Sequence, residues 1–347
     1  MTDAASEPDP DEEAPIRTRR ILSIDGGGIR GVEPAAFLAA LEADLEHPIG
    51  SYFDLIAGTS TGGILAIGLA LGMRAADLLA LYEKQGPAIF RQEQQFGPVR
   101  RRIQDAWRKV AIQSWRPKHK SGHLRAELER VLGSRRIGES RTRLLVPAWD
   151  ADHRGVYIFK TAHHPRLRTD YQRLALDAAM ATAAAPTFFP RHRTGEAVGL
   201  LDGGIWANNP VGLAAVEAIT LLGWPSESLR ILSLGCGEEV YLFKDEAGFV
   251  DFGLGGLPRL LMDGQSRGAT GMAKLITGHP HRGEALFRIV TPVPPDFFRL
   301  DDTSQISRLK GLGNSAARRE RPKLEPVFFD GPAEPFVPCH HIEERAP

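Results

Sequence analysis

The sequence predicts an α/β protein built on a mostly parallel sheet, and three observations carry that expectation. Short apolar segments of strand type alternate with segments of helical spacing through most of the 347 residues. The first two strands each end in a glycine-rich turn that opens directly into a helix. The composition, 42% hydrophobic and 25% charged, is that of a globular chain able to bury a full core.

Taken in order, residues 1–17 are acidic, proline-containing and aperiodic, and read as a disordered tail. Six acids and no base in the first fourteen residues do not make a signal peptide, which starts basic and continues apolar. Order is expected from Arg19-Arg20-Ile21-Leu22-Ser23-Ile24, a strand closed by Asp25 and three glycines. Val32, Leu38, Leu41 and Leu45 then mark a helix over 32–46. A second strand over 53–57 breaks at Gly58, and 61–72 reads as a buried helix, with another over 75–85. Nineteen uncharged residues between Asp54 and Arg74 approach the length of a bilayer span. Five glycines in that run, and three hydroxyls near its start, suit a strand, a tight turn and a buried helix better. Later strands are expected at 143–148, 155–159, 198–201 and 229–234, and helices at 170–184 and 211–221. Gly253-Leu254-Gly255-Gly256-Leu257 reads as a glycine-rich surface loop or a lid. Six prolines in the last 27 residues predict a segment that wraps or trails and adds no core element.

Charge and cysteine usage narrow the function classes. Lys+Arg and Asp+Glu are equal at 43 each, which removes the global argument for binding a nucleic-acid polymer. Two cysteines, Cys236 and Cys339, exclude a disulfide scaffold and a cysteine-based zinc site, and fit a reducing compartment. Residues 91–136 differ from the rest: thirteen basic residues against four acidic ones, with Trp107 and Trp115 among them. That stretch is either a solvated helical insertion or a surface for anionic headgroups or a phosphate-bearing ligand.

Three short segments carry the chemistry. Asp25-Gly26-Gly27-Gly28-Ile29-Arg30-Gly31 has the G-x-G-x-x-G spacing of a dinucleotide site. That reading needs an acid at the carboxyl end of the second strand; here Asp54 lies at the opposite end. Alternatively the loop is a nest of backbone N–H groups that holds an oxyanion. Gly58-Thr59-Ser60-Thr61-Gly62 is G-x-S-x-G at a strand-to-helix junction, where chain crowding around a nucleophilic serine demands small neighbours. Ser60 as a simple helix cap is the bland alternative. Its partner is not obvious among the histidines: His279, His281, His340 and His341 lie in segments without strand pattern, and His47, His163, His164 and His192 read as surface residues. Asp202 in Leu201-Asp202-Gly203-Gly204 follows an apolar strand and can face the same sheet edge as Ser60, taking its proton directly. An ordinary Asp-Gly turn is the alternative there.

The ordered set Asp25–Gly31, Gly58–Gly62 and Asp202–Gly204 resembles the patatin-like phospholipases. Ala183-Ala184-Ala185-Pro186-Thr187-Phe188-Phe189-Pro190 and Asp202-Gly203-Gly204-Ile205-Trp206-Ala207-Asn208-Asn209-Pro210 extend the resemblance over roughly residues 19–240. It implies a three-layer α/β/α sandwich with a mostly parallel central sheet and a lipid acyl hydrolase using a Ser–Asp dyad. Ser60 is then the nucleophile and Asp202 the general base. Gly27 and Gly28 supply the oxyanion hole, and Gly26, Gly31, Gly58, Gly62, Gly203 and Gly204 are the motif glycines. Arg30 matches the family's basic residue in the glycine loop and is a candidate anion contact. Cys236 stands where the family usually shows Thr, a packing change. No metal or cofactor is implied, and the sequence has no HExxH, EF-hand loop or Cys/His cluster. The implied layout is a catalytic domain over 18–300 with 91–136 as its basic insertion, and a proline-rich extension over 301–347.

Size, the basic stretch and Gln265-Ser266-Arg267-Gly268-Ala269-Thr270 are similar to the branch of the family that acts in bacterial anti-phage signalling (the CBASS effectors). That similarity implies a cytoplasmic enzyme, peripheral to the inner membrane when active, with a phospholipid surface as target and a cyclic dinucleotide as activator. An ungated lipid hydrolase, or a non-catalytic module that binds lipid or nucleotide, remain the alternatives. Oligomeric state is left open by the sequence.

Overall fold

The computed structural model describes residues 16–89, 119, 121–186, 188–239, 253–293 and 300–342. Among these, eight strands form one sheet. They are β1 (Arg19–Ile24), β2 (Leu55–Gly58), β3 (Arg143–Asp150), β4 (Gly155–Lys160), β5 (His192–Arg193), β6 (Gly199–Asp202), β7 (Leu229–Leu234) and β9 (Leu286–Ile289). A separate parallel pair joins β8 (Glu238–Glu239) to β10 (Pro292–Val293). Hydrogen-bonded neighbours in the main sheet follow the path β5-β6-β3-β2-β1-β7-β9, with β4 also on β3. The run from β3 to β9 is parallel throughout, whereas β4, β5 and β6 enter antiparallel.

Period-two alternation sends side chains to both faces, and both faces are covered. Leu22, Ile24 and Ile56 enter one core; Ile21, Leu55 and Ala57 enter the other. On the first face lie α1 (Val32–Glu42), α2 (Thr61–Ala70), α3 (Ala75–Ile89), α4 (Ser121–Leu132) and α5 (Ala175–Thr182). On the second lie α7 (Val211–Thr220) and α8 (Gly253–Thr277), with the single turn α6 (Gly204–Ala207) packed against α8. This is the three-layer α/β/α arrangement. All ten residues of α2 are buried, which explains the uncharged run that follows Asp54. No helix among the described residues is long and apolar enough to cross a membrane.

One detail of the topology positions the site. Leu145 of β3 pairs with Ala57 of β2 and also with Lys160 of β4, so β2 and β4 occupy opposite edges of β3. Since β4 continues along its edge as far as Asp150, β6 must share the β2 edge, where it pairs from Asp150 to Ala148. The two strands therefore run toward each other along one edge, and their carboxyl ends, Gly58 and Asp202, meet beside Pro147.

Several expectations need correction. Gly253–Leu257 opens the 25-residue helix α8 and is neither a loop nor a lid; the glycines mask a helical spacing of larger residues behind them. The C-terminal segment does add to the core. Helix α9 (Ile306–Phe328) contains Pro322 and Pro326, yet buries Leu309, Ala316, Ala317, Leu324 and Phe328. It lies close on α1, where a Cβ at Gly313 would come within 2.3 Å of the Glu33 carbonyl oxygen. His163 and His192 are buried, each tied to a carboxylate (Glu217 and Asp177, both at 2.9 Å). Of the basic stretch, α4 is an amphipathic helix burying Leu124, Leu128 and Leu132, while Trp107 and Trp115 lie outside the described residues. So do residues 1–15 of the acidic tail.

Candidate active site

Ser60 is the second of the two residues between β2 and α2, with φ 54° and ψ −123°. A positive φ is strained for a residue with a side chain, costing about 1–3 kcal/mol, and persists only where the surroundings enforce it. Here they do. A Cβ at Gly58 would stand 2.1 Å from the Gly62 carbonyl oxygen, and one at Gly62 would stand 2.4 Å from that of Ile24. The strand and helix ends are thus pressed together, and the turn between them projects Ser60.

Three consecutive residues stitch this turn to three other segments. Thr59 Oγ1 donates to the Ala207 carbonyl at 2.6 Å, reaching the second glycine motif. The Ser60 N–H donates at 2.9 Å to Thr182 Oγ1, which donates to the Pro147 carbonyl at 2.7 Å. Thr61 Oγ1 donates to the Gly28 carbonyl at 2.8 Å, reaching the glycine loop.

Asp202 arrives at the end of β6 and is buried. Its Oδ1 accepts the Gly204 N–H at 2.7 Å. Gly203 lies so close to β3 that a Cβ there would come within 2.4 Å of the Pro147 oxygen. Burial drives the Asp202 carboxyl up to about 7, against the hydrogen bonds from the Ser60 hydroxyl and the Gly204 N–H that hold it down. Head-to-head strands thus pair a hydroxyl with a carboxyl poised to exchange a proton near neutral pH. Sequence reasoning anticipated a shared sheet edge; it did not anticipate an antiparallel β6.

The glycine loop closes the third side. Gly28 has φ +56°, a conformation natural only to glycine, and starts the short 3-10 turn Gly28–Gly31 that feeds α1. Gly26 abuts Asn208, whose carbonyl takes the Gly26 N–H at 2.9 Å and whose Nδ2 donates to the Gly26 carbonyl at 3.3 Å. Gly31 packs on the Thr61 methyl group. The N–H groups of Gly27 and Gly28 donate to no acceptor among the described residues. Arg30 is half-buried in the same turn, and its charge acts on the nearby Glu33.

Sequence reasoning missed the groups that hold the loop from beneath. Arg288 of β9 makes a two-pronged ion pair with Asp25, at 2.9 and 2.6 Å, and donates to Ser233 Oγ at 2.9 Å. Burial raises the Asp25 carboxyl and the Arg288 charge opposes that rise. Cys236 packs under Gly27 and its thiol donates to the Asp25 carbonyl at 3.3 Å; burial pushes the thiol well above its ordinary range, so it acts as a small buried group. The single hint in the sequence is an arginine inside the apolar run Leu286-Phe287-Arg288-Ile289. Thr182 gave less signal still, a lone hydroxyl at the end of an alanine-rich helix.

The Asp202 N–H donates to the Ala184 carbonyl at 3.0 Å, so all four ordered segments meet at one place. A family model described as patatin-like phospholipase matches residues 22–215, a span that contains the glycine loop, the Ser60 turn and Asp202. The chain belongs to the patatin-like phospholipases. A cGAMP-activated phospholipase of Pseudomonas aeruginosa is 34% identical over 339 residues, covering 91% of this chain and 96% of that protein. A protein of the same name from Vibrio cholerae is 35% identical over 68% of this chain and 69% of its own. Patatin-like protein 2 of Oryza sativa is 32% identical over 67% and 65%. Membership in the patatin-like phospholipases makes this chain a lipid acyl hydrolase.

Proposed function

We propose that Ser60 and Asp202 hydrolyse fatty-acyl esters of membrane phospholipids by two-step acyl transfer, switched on by a cyclic dinucleotide. Ser60 Oγ attacks the ester carbonyl carbon while Asp202 takes the hydroxyl proton. The oxyanion that forms lies against the Gly27 and Gly28 N–H groups, which are aimed before the reaction starts. As the ester C–O bond breaks, Asp202 returns the proton to the leaving lysolipid oxygen. Water then attacks the acyl-enzyme while Asp202 accepts its proton, and Asp202 returns that proton to Ser60 Oγ as the acyl C–O bond breaks and the fatty acid leaves. Arg30 offers a positive charge in the same turn for the phosphate of the substrate.

The observation that carries this reading is the pairing of Ser60 with an Asp202 carboxyl whose pKa sits at about 7. A base that must also act as acid works best near the operating pH. Because attack needs Asp202 ionised, kcat/KM climbs with pH along an acid limb centred at about 7.

The activator rests on the names of the relatives, above all the Pseudomonas aeruginosa protein aligned nearly end to end. Gating also suits an enzyme that works from the cytoplasmic side on the host's own bilayer. The test is fatty-acid release from mixed phospholipid vesicles by wild type and Ser60→Ala, with and without a panel of cyclic dinucleotides. Release that needs both Ser60 and one nucleotide is expected. Release without nucleotide keeps the hydrolase and removes the gate; equal release by Ser60→Ala removes Ser60 from the chemistry.

A further inference from the structure

Helix α8 has three distinct sides. Ala269, Ala273 and Thr277 are buried, and Ala269 lies directly on Gly212 of α7. On the opposite side Leu261, Met272 and Leu275 are 60%, 50% and 84% exposed, an unusual degree for large apolar side chains. At about 100° per residue they fall within an arc of roughly 60°, with Gly264 and Gly268 between them. Arg267 and Lys274, both exposed, project from the flank of this stripe, Arg267 as an ion pair with Asp263 at 2.9 Å and Glu238 at 2.6 Å. Residues 253–282 carry four basic side chains and one acidic.

The stripe is physically continuous with the active site. Gln265 Nε2 donates to the Ile205 carbonyl at 2.7 Å, and Asn209 Nδ2 donates to Ser266 Oγ at 3.1 Å and Thr270 Oγ1 at 3.2 Å. Ile205, three residues beyond Asp202, is itself 42% exposed. An apolar ridge thus runs outward from the Asp202 turn along α8, bordered by Lys274 and by the Arg267–Asp263–Glu238 ion-pair cluster.

We propose that the outer side of α8, with Ile205, is the surface by which this enzyme docks on an anionic phospholipid bilayer. The proposal rests on the phospholipase reading, since it takes the substrate to lie in the bilayer. The excess of basic over acidic side chains in 253–282, which persists after the pairing of Arg267, is complementary to anionic headgroups, and the apolar arc matches helices that lie in an interface. Such a helix rests on the bilayer without spanning it, in keeping with the limits on length and hydropathy noted above. Docking here brings the Asp202 turn, through Ile205, against the lipid, so a phospholipid reaches the site without crossing water.

The test uses full-length protein carrying L261S, M272S and L275S together. Partitioning onto vesicles of phosphatidylcholine with phosphatidylglycerol is measured in a Ser60→Ala background, so that binding is read without lipid turnover. Hydrolysis of p-nitrophenyl butyrate, a soluble monomeric ester, and molar mass by light scattering are measured beside it. The expected result is a more than tenfold loss of vesicle partitioning and of vesicle hydrolysis. Butyrate hydrolysis stays within twofold and the molar mass is unchanged. Vesicle partitioning equal to wild type, or a wild type that binds no vesicles with or without the cyclic dinucleotides, overturns the proposal. A drop in molar mass with vesicle binding retained also overturns it, and assigns the stripe to contact between two copies of the chain. Failure of the phospholipase reading itself shows separately, as wild-type protein that binds vesicles and releases no fatty acid.

Discussion

Glycines of the Ser60 turn and glycines of α8 look alike in the sequence and behave oppositely in the fold. At Gly58 and Gly62 an added Cβ would meet a backbone oxygen at 2.1 and 2.4 Å, whereas at Gly264, Gly268 and Gly271 it would meet nothing within 4 Å. The first pair is dictated by geometry: no other residue lets β2 and α2 close on Ser60. The second set is not, and each of its members costs helix stability relative to alanine. Constraint of the first kind makes a motif recognisable in one sequence; its absence hides a helix.

The largest effect that separates the two regions is at the dyad. Asp202→Asn should lower kcat by at least about 10³-fold, in line with losses seen when a member of a catalytic unit is removed. It should also stabilise the fold above pH 7. The folded-state pKa of Asp202 is raised from 3.8 to about 7, so its favourable contribution is complete below pH 3.8 and lost as pH rises through 7. Urea unfolding at pH 5 and pH 8 checks the sign: the gain in stability from Asn, on the order of a few kcal/mol at most, should be greater at pH 8. An Asn variant less stable than wild type at pH 8 breaks the account of Asp202 as a buried carboxyl held against its burial.

Gly62→Ala comes next. The methyl group has nowhere to go between α2 and the carbonyls of Ile24 and Asp25, so both stability (about 1–3 kcal/mol) and turnover per folded molecule should fall. Gly313→Ala should cost a similar amount of stability, because its Cβ would strike the Glu33 carbonyl, yet leave kcat of the folded fraction unchanged. If turnover falls as well, the α1–α9 contact is coupled to the glycine loop more tightly than packing alone requires. The smallest effect is Gly268→Ala, for which a gain of about 0.5–1 kcal/mol is expected, read as a rise in the urea midpoint. A loss there would mean that something packs on the outer side of α8.

The same contrast explains what was legible in the sequence. The Ser60 turn, the Asp202 turn and the glycine loop stand out in the sequence because each is fixed by neighbours a few residues away: strand, tight turn, helix. That Asp202 arrives on an antiparallel strand was not legible, since strand direction is set by the connection from β4 to β6 and by which edge of β3 is vacant. Arg288 was invisible for a related reason. Its partner Asp25 lies 263 residues earlier, and a lone arginine in an apolar run has many explanations. Helix α9 was misread because proline was weighed as a helix breaker, while Gly313, Ala316 and Ala317, the small residues that seat it on α1, carry little periodic signal.

The meeting of β2 and β6 end to end along β3 has a consequence for biosynthesis. On the ribosome Ser60 emerges with its elbow long before Asp202, about 140 residues later, and at 5–20 residues per second that interval is roughly 7–28 s. The ion pair beneath the glycine loop waits longer still, for Arg288, and the Ile29 N–H finds its acceptor only at Leu300. A truncated or stalled translation product therefore carries a serine with no base and a loop with no support. With the proposed dyad, hydrolytic competence waits for Asp202 and for the loop support of Arg288 and Leu300, so a nascent chain that lacks them cannot turn over ester.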